Sequence, residues 1–243
     1  MSETDATSPA WQPSRRQVER TDRSKAILAR YQAPTYTGPL FVDDDEEAIP
    51  RAASEVARRT LALWAVVLRA EGMPQTEVLD LLVQMKVREA VSPEEDEFLG
   101  DPDPDAETSQ SLVWRLESIW VLLWALGHLT ELDWPRGMCD VARIVEIIKP
   151  RETDPDFINR AVLRPVSELL DAQDLTLRIH WAIRDVWINQ GGFLPADLDW
   201  SKDYELAHVS GCAAVGVVEQ RHHTLNWLFR FGEAEWDDVD TPT

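Results

Sequence analysis

Trp114-Arg115-Leu116-Glu117-Ser118-Ile119-Trp120-Val121-Leu122-Leu123-Trp124-Ala125-Leu126-Gly127 is the stretch that decides the fold. From Ile119 to Leu126 no polar residue interrupts it. A helix that is hydrophobic nearly all round belongs at the centre of a bundle, not on its surface. The apolar run spans eight residues, far short of the ~18 of a membrane span. Gly127 then supplies the left-handed residue that ends a helix. Arg115 and Glu117 lie two positions apart, so they face different directions and each needs a partner on another helix.

Working outward, three more stretches set tryptophan beside arginine and run into glycine. They are Arg59–Trp64 before Gly72, Arg178–Trp187 before Gly191, and Arg221–Trp227 before Gly232. Tryptophan is costly to expose and arginine costly to bury unpaired. Such segments predict a helical core threaded by guanidinium pairs, with Glu168, Asp171 and Asp174 as nearby acids. The four Arg-to-Trp offsets are five, five, three and six residues, so no register survives and the segments are not a repeat. The Arg59 segment reads as plain core helix.

Period-2 alternation persists nowhere, and glycine is scarce. The pattern predicts an all-α fold, a single irregular multi-helix bundle with a disordered acidic N-terminal tail. Residues 1–45 form that tail, with a docking helix at 15–31, and residues 46–240 form the helical domain. Pro50 sits in the first turn of a helix running to Glu71, and Pro74 starts a second with Val78, Leu81, Leu82 and Met85 as its stripe. Ser92-Pro93-Glu94-Glu95 spells a capping box. The proline-broken acidic run 101–105 is a solvated surface loop. Thr108 or Ser109 caps the central helix, and Asp133 caps the next, which buries Cys139, Ala142, Ile144, Val145 and Ile148. Residues 165–189 form one helix, 197–202 a loop around Trp200, and 204–231 the last helix, bent at Gly211 or Gly216. Trp236 folds back onto the domain.

The chain carries 24 basic and 44 acidic residues, a net charge of −20. Nucleic acid demands a basic footprint and an anionic membrane attracts one, so neither is an expected partner. A basic protein suits the sign, as does plain solubility. Two cysteines, Cys139 and Cys212, form no framework and read as buried hydrophobes in a reducing compartment. With no apolar leader visible, the expected location is the cytoplasm.

Candidate chemistry gathers on the last two tryptophan helices. Arg178, His180 and Arg184 fall within two turns, and Glu219, His222, His223 and Asn226 form a similar knot. If these helices face each other, the residues converge either on an anion pocket or acid–base site, or on a buried polar network that fixes helix register. Glu205-x-x-His208 and Glu219-x-x-His222 each suit a carboxylate-bridged di-iron bundle. They stand 14 residues apart, ~21 Å along one helix, too far to share a metal pair. No metal or cofactor is expected, since the phosphate loop, dinucleotide, zinc-protease and serine-hydrolase fingerprints are missing.

Taken in order, Trp114-Arg115-x-Glu117-x-x-Trp120 through Gly127, Cys139-Asp140, His180-Trp181-Ala182-x-Arg184, Glu219-x-Arg221-His222-x-x-Leu225-Asn226-Trp227-Leu228 and Trp236-Asp237-Asp238 resemble an uncharacterised bacterial family, domain of unknown function 4272. The resemblance covers roughly residues 23–240. It implies a cytosolic, mainly helical bacterial protein, with Arg115, Glu117, His180, Arg184, Glu219, Arg221, His222 and Asn226 as its polar signature. Glu205 lies outside that pattern. Two functions are expected: a non-catalytic acidic helical interaction protein that engages a basic partner, or a small-molecule anion-binding or hydrolase-like enzyme built on the Arg/His/Glu cluster. Their discriminator is whether these side chains line an open cleft or are sealed and mutually paired.

Overall fold

The central helix α6 (Arg115–Ala125) buries Ile119, Val121, Leu122, Leu123 and Ala125 completely in a computed structural model. The structure describes residues 11–154, 156–189, 191–192, 197–198 and 213–243. Five helices lie in a row of successive contacts: α2 (Ala53–Ala70), α6, α10 (Val215–Leu228), α9 (Val166–Asn189) and α1 (Arg15–Arg30). Around α2 sit α3 (Gln75–Met85), α4 (Pro93–Gly100), α5 (Ala106–Val113) and the short α8 (Asp156–Asn159), while α7 (Val141–Ile148) rests on α6. A two-residue antiparallel ladder pairs β1 (Asp197–Leu198) with β2 (Ala213–Ala214). The described fold is helical as the periodicity predicts, and none of its described helices is long and apolar enough to cross a membrane.

Several boundaries differ from the sequence expectation, each for a local reason. The Pro50 helix begins only at Ala53, because Arg51 is drawn aside to donate its backbone N–H to Leu228 O at 2.8 Å. The segment expected to run from Thr108 or Ser109 through Leu126 is two helices, α5, which is capped by Asp105, and the central α6, which has no side-chain cap. The Asp105 carboxylate accepts from the Thr108 N–H at 2.8 Å, and the helix then breaks at Trp114. Asp140, not Asp133, caps α7 by accepting from the Arg143 N–H. Cys139 therefore precedes that helix, and the face that packs is Ile144, Ile147 and Ile148, with Ala142 and Val145 exposed. Gly216 does not bend a helix. It sits in the first turn of α10, where a Cβ would meet the Trp114 ring at 3.0 Å, so it makes room for that ring. Gly127, at φ +76°, ends α6 as expected. Residues 1–10, Trp200, Glu205, His208, Gly211 and Cys212 lie outside the described residues.

Helix α1 docks through polar groups. Ser14 and Gln17 form a capping box, and Gln17 Nε2 donates to Val42 O at 2.7 Å. The buried Arg20 guanidinium bridges Asp45 at 2.5 Å and Asp171 at 3.1 Å.

The apolar core is divided in two, and the division positions the site. Along α9 the larger cluster includes Leu169, Leu170 and Leu177, and the smaller one resumes at Ile179, Ala182 and Ile183. Along α10 the smaller cluster holds Val215 and Val218, and the larger resumes at Leu225. His180 and His222 fall in the seam between them, where a polar layer is tolerated only if its members satisfy one another.

Candidate functional site

Helices α9 and α10 do face each other, but the nine sequence candidates separate into three environments. Arg178 is sealed. It holds Asp174 by two bonds of 2.9 and 3.0 Å and donates to Thr21 Oγ1 and Leu40 O, tying α1 and the following linker to α9. Arg221 and Glu117 form a second sealed unit between α6 and α10. Glu117 is fully buried and accepts from the Cys139 N–H at 2.5 Å; Arg221 Nε stands 3.8 Å from its other oxygen and Arg221 Nη1 donates to Asp133 O. Burial raises the Glu117 pKa above the usual carboxylate value, partly opposed by the Cys139 N–H and Arg221. Burial and the neighbouring Glu117 also push the Cys139 thiol upward, so it stays protonated. Arg115 reaches Gln220 Oε1 at 3.2 Å, and Asn226 pairs with Gln173.

The third environment is the seam. His180 Nδ1 and His222 Nδ1 stand 2.8 Å apart with the rings edge to face. One Nδ1 must carry a proton and the other accept it, so the two neutral rings hold opposite tautomers. His222 thus pairs across the helices rather than along its own helix with Glu219 or Asn226. Burial lowers His180 to about 4, with Arg184 contributing, and lowers His222 to about 3, with His180 and His223 contributing. Both are neutral at pH 7 and available as bases or hydrogen-bond partners, not as cations.

One face of this pair borders a cavity of about 600 Å³ lined by His180, Arg184, Glu219, Gln220, His223 and Asp240. Arg184 and Glu219 are exposed. Among the described residues no carboxylate lies within ion-pair distance of the Arg184 guanidinium, which rests 5.3 Å from the Trp187 ring centre. Partial burial of its carboxyl raises Glu219, and Arg184 pulls it back. His223, at the far wall, is lowered to about 4 by burial and by Arg115, while its Nε2–H donates to Trp236 O at 2.9 Å.

That last bond leads to residues the sequence reading missed. Arg59 does not sit in a plain core helix. Its guanidinium makes two bonds of 2.7 and 2.6 Å to the buried Glu95 and stacks 3.9 Å from the Trp236 ring centre. Arg115 lies against the same ring and the same carboxylate, 4.0 Å from Glu95. The signal was available: Arg59 stands in line with Val56 and Leu63 on the apolar face of α2, so it had to be buried with a partner.

Of the nine candidates, the structure brings His180, Arg184 and Glu219 to one open cavity and turns Arg178, Arg221, Glu117 and Asn226 inward. A family model described as Domain of unknown function (DUF4272) matches residues 20–239, and the chain belongs to that family. No protein with a curated description and no solved structure matches it.

Proposed function

As a member of a family whose description assigns no role, the chain is read from its geometry, and we propose that it binds a small polar molecule bearing an acidic group in the Arg184 cavity. The observation that carries this is the exposed Arg184 guanidinium at a polar cavity, without a carboxylate at ion-pair distance among the described residues. A guanidinium fork matches a carboxylate or phosphate with two parallel bonds. The neutral His180 beside it accepts or donates one hydrogen bond without adding charge. Glu219 favours a hydroxyl or amine elsewhere on the same ligand and disfavours a bare polyanion. With His180 held neutral and the Glu219 carboxyl shifted toward its protonated form, the cavity holds one group that can accept a proton and one that can hold it, as proton transfer requires.

Inorganic phosphate and acetate are the first probes. An anion on Arg184 offsets the charge that helps depress His180, so its binding raises the His180 pKa toward the ordinary value. The expected result is an upward shift of the His180 titration by about 0.5 unit or more, followed by carbon-detected NMR, and loss of that shift in Arg184→Gln. A His180 titration unmoved by either anion at concentrations that saturate exposed arginines refutes the reading.

A second reading rests on the net charge of −20: an acidic interaction protein of the bacterial cytosol that engages a basic protein partner. Such contacts weaken as the Debye length falls to ~8 Å near physiological salt. Capture from a lysate at low salt is expected to enrich basic proteins and to lose them as salt rises; recovery of only neutral or acidic partners removes this reading.

A further inference from the structure

A cavity of about 320 Å³ lies between α2, α3, α8 and the turn Lys149–Thr153, and it shares no lining residue with the Arg184 cavity. Three cations line it: Arg58, Lys86 and Arg151. In a chain of net charge −20, a surface cation has carboxylates in abundance to pair with. Yet among the described residues no carboxylate lies within ion-pair distance of any of these three. Arg58 stands on a rim shared with the neighbouring cavity beside Trp236, where Glu55 is held by Arg51 and Arg230 instead.

Uncharged neighbours hold the half-buried Arg151 in place. Its Nη1 donates to Ile147 O, its Nη2 donates to His128 Nδ1 at 3.4 Å, and the guanidinium lies 5.5 Å from the Phe157 ring centre. Ile147, His128 and Phe157 are not on the cavity wall, so the group is gripped from behind. Its Nε–H and one N–H of each arm have no partner among the described residues. Burial lowers the Arg151 pKa, Asp154 opposes this and Arg143 adds to it. A partly desolvated guanidinium without a close counter-charge costs free energy that an arriving anion returns. The two acids on the wall do not fill that role. Glu152 is buried and committed to Trp64 Nε1 at 2.8 Å and Lys149 at 3.0 Å, while Asp154 accepts from the Asp156 N–H at 2.9 Å. Lys86 reaches the wall from a left-handed backbone, φ +57°, at the end of α3, where glycine or asparagine is usual. A lysine kept in that conformation points to a use for its charge.

We infer that this cavity is a second anion site, built for a small phosphate monoester whose phosphate meets Arg151, Lys86 and Arg58. A phosphate monoester carries up to two charges and three acceptor oxygens, enough for a guanidinium fork and two further cations; a carboxylate offers one charge and two oxygens. Gln84 and Thr153 on the wall suit the hydroxyls of a polar body, and Leu61, Met85 and Ile158 suit its carbon skeleton. The volume fits a short-chain ester, at the lower end of the roughly 300–1,000 Å³ of ligand pockets. A long polyanion such as nucleic acid is repelled by the charge of the whole chain.

The test titrates the full chain with glycerol 3-phosphate, inorganic phosphate and acetate while the Arg151 Nε–H and the His128 ring signals are followed by NMR. His128 reports on this cavity because its Nδ1 accepts from Arg151. Glycerol 3-phosphate is expected to move both signals and to bind about tenfold more tightly than acetate, the factor that one further charge-assisted hydrogen bond supplies. It should also bind more tightly than inorganic phosphate, which lacks the polar body. Arg58→Gln and Lys86→Gln change exposed side chains and leave the fold intact; each should weaken the ester about tenfold. Arg151→Gln should abolish the His128 response while the His180 response to phosphate persists. Arg184→Gln should do the reverse, which separates the two cavities. Acetate or inorganic phosphate binding as tightly as the ester, unchanged affinity in both Arg58→Gln and Lys86→Gln, a His128 response lost in Arg184→Gln, or no response at Arg151 and His128 would each overturn the assignment.

Discussion

Acidification from pH 7 to pH 5 is expected to remove about 5 kcal/mol of folding stability. His180, His222 and His223 are held neutral by burial, at about 4, 3 and 4, against 6.5 for a free histidine. Their folded values are depressed, so the unfolded chain binds protons first as pH falls. The stability they contribute is complete above pH 6.5 and is lost progressively between 6.5 and about 3. At pH 5 each ring has forfeited roughly 2 kcal/mol. The charged groups facing them act in both directions: Arg184 depresses His180, Arg115 and Arg59 depress His223, and Asp237 raises it. Glu117 and Glu219, raised by burial, are better tolerated when protonated and return part of the loss at the acid end. Since typical domains have only about 5–15 kcal/mol to lose, urea unfolding at the two pH values is a sensitive check. Equal unfolding free energies at pH 7 and 5 would mean that the three rings are not buried as described. A phosphate or acetate ion on Arg184 raises the folded value of His180 and flattens the profile, so the same measurement with and without anion tests the cavity as well.

Sequence patterns and physical pairing account for different parts of this molecule. The central helix was legible because α6 is apolar without interruption from Ile119 to its end at Ala125 and Gly127 closes it. The box at Ser92 was legible because its spacing is its mechanism, and both of its hydrogen bonds form. The docking of α1 was much less so: four of its five buried residues, Gln17, Arg20, Thr21 and Ser24, are polar, so burial leaves no hydrophobic stripe to detect. The break at Trp114 has neither proline nor glycine to announce it. At the candidate site, the sequence gathers the polar residues on two helices that pack against each other, but helical neighbours three and four positions away suggested Glu219 or Asn226 for His222, whereas the partner is His180, 42 positions away. Which arginines are sealed also depends on distant atoms. Arg178 is closed off by Thr21 and Leu40, and Arg184, six positions further on, is left open. Periodicity places a residue on a face; only packing decides what covers that face.

The largest single-residue effect is expected at Glu95, whose replacement by alanine should cost about 3–5 kcal/mol. The carboxylate is 1 % exposed. It accepts two bonds from Arg59, caps α4 by accepting from the Ser92 N–H at 3.1 Å, and lies 4.0 Å from Arg115. Removing it leaves the buried Arg59 with Ala90 O and the Trp236 face, and sets two guanidinium groups near each other without a counter-charge. Cation–π attraction of about 1–2 kcal/mol does not replace that. Glu95→Gln keeps an acceptor for Ser92 and for one arm of Arg59, so it should cost less. Arg59→Met combined with Glu95→Leu should recover much of the loss, because the expense arises from an unpaired buried charge rather than from a missing attraction. Urea unfolding of the three variants decides the matter: a double variant as unstable as Glu95→Ala would show that packing, not charge, is responsible. The consequence reaches the cavity through Trp236, whose backbone carbonyl holds His223 Nε2 at the cavity wall. Loosening the Arg59–Trp236 stack frees that wall, so Glu95→Ala should also weaken phosphate binding at Arg184 while leaving the His180–His222 hydrogen bond in place.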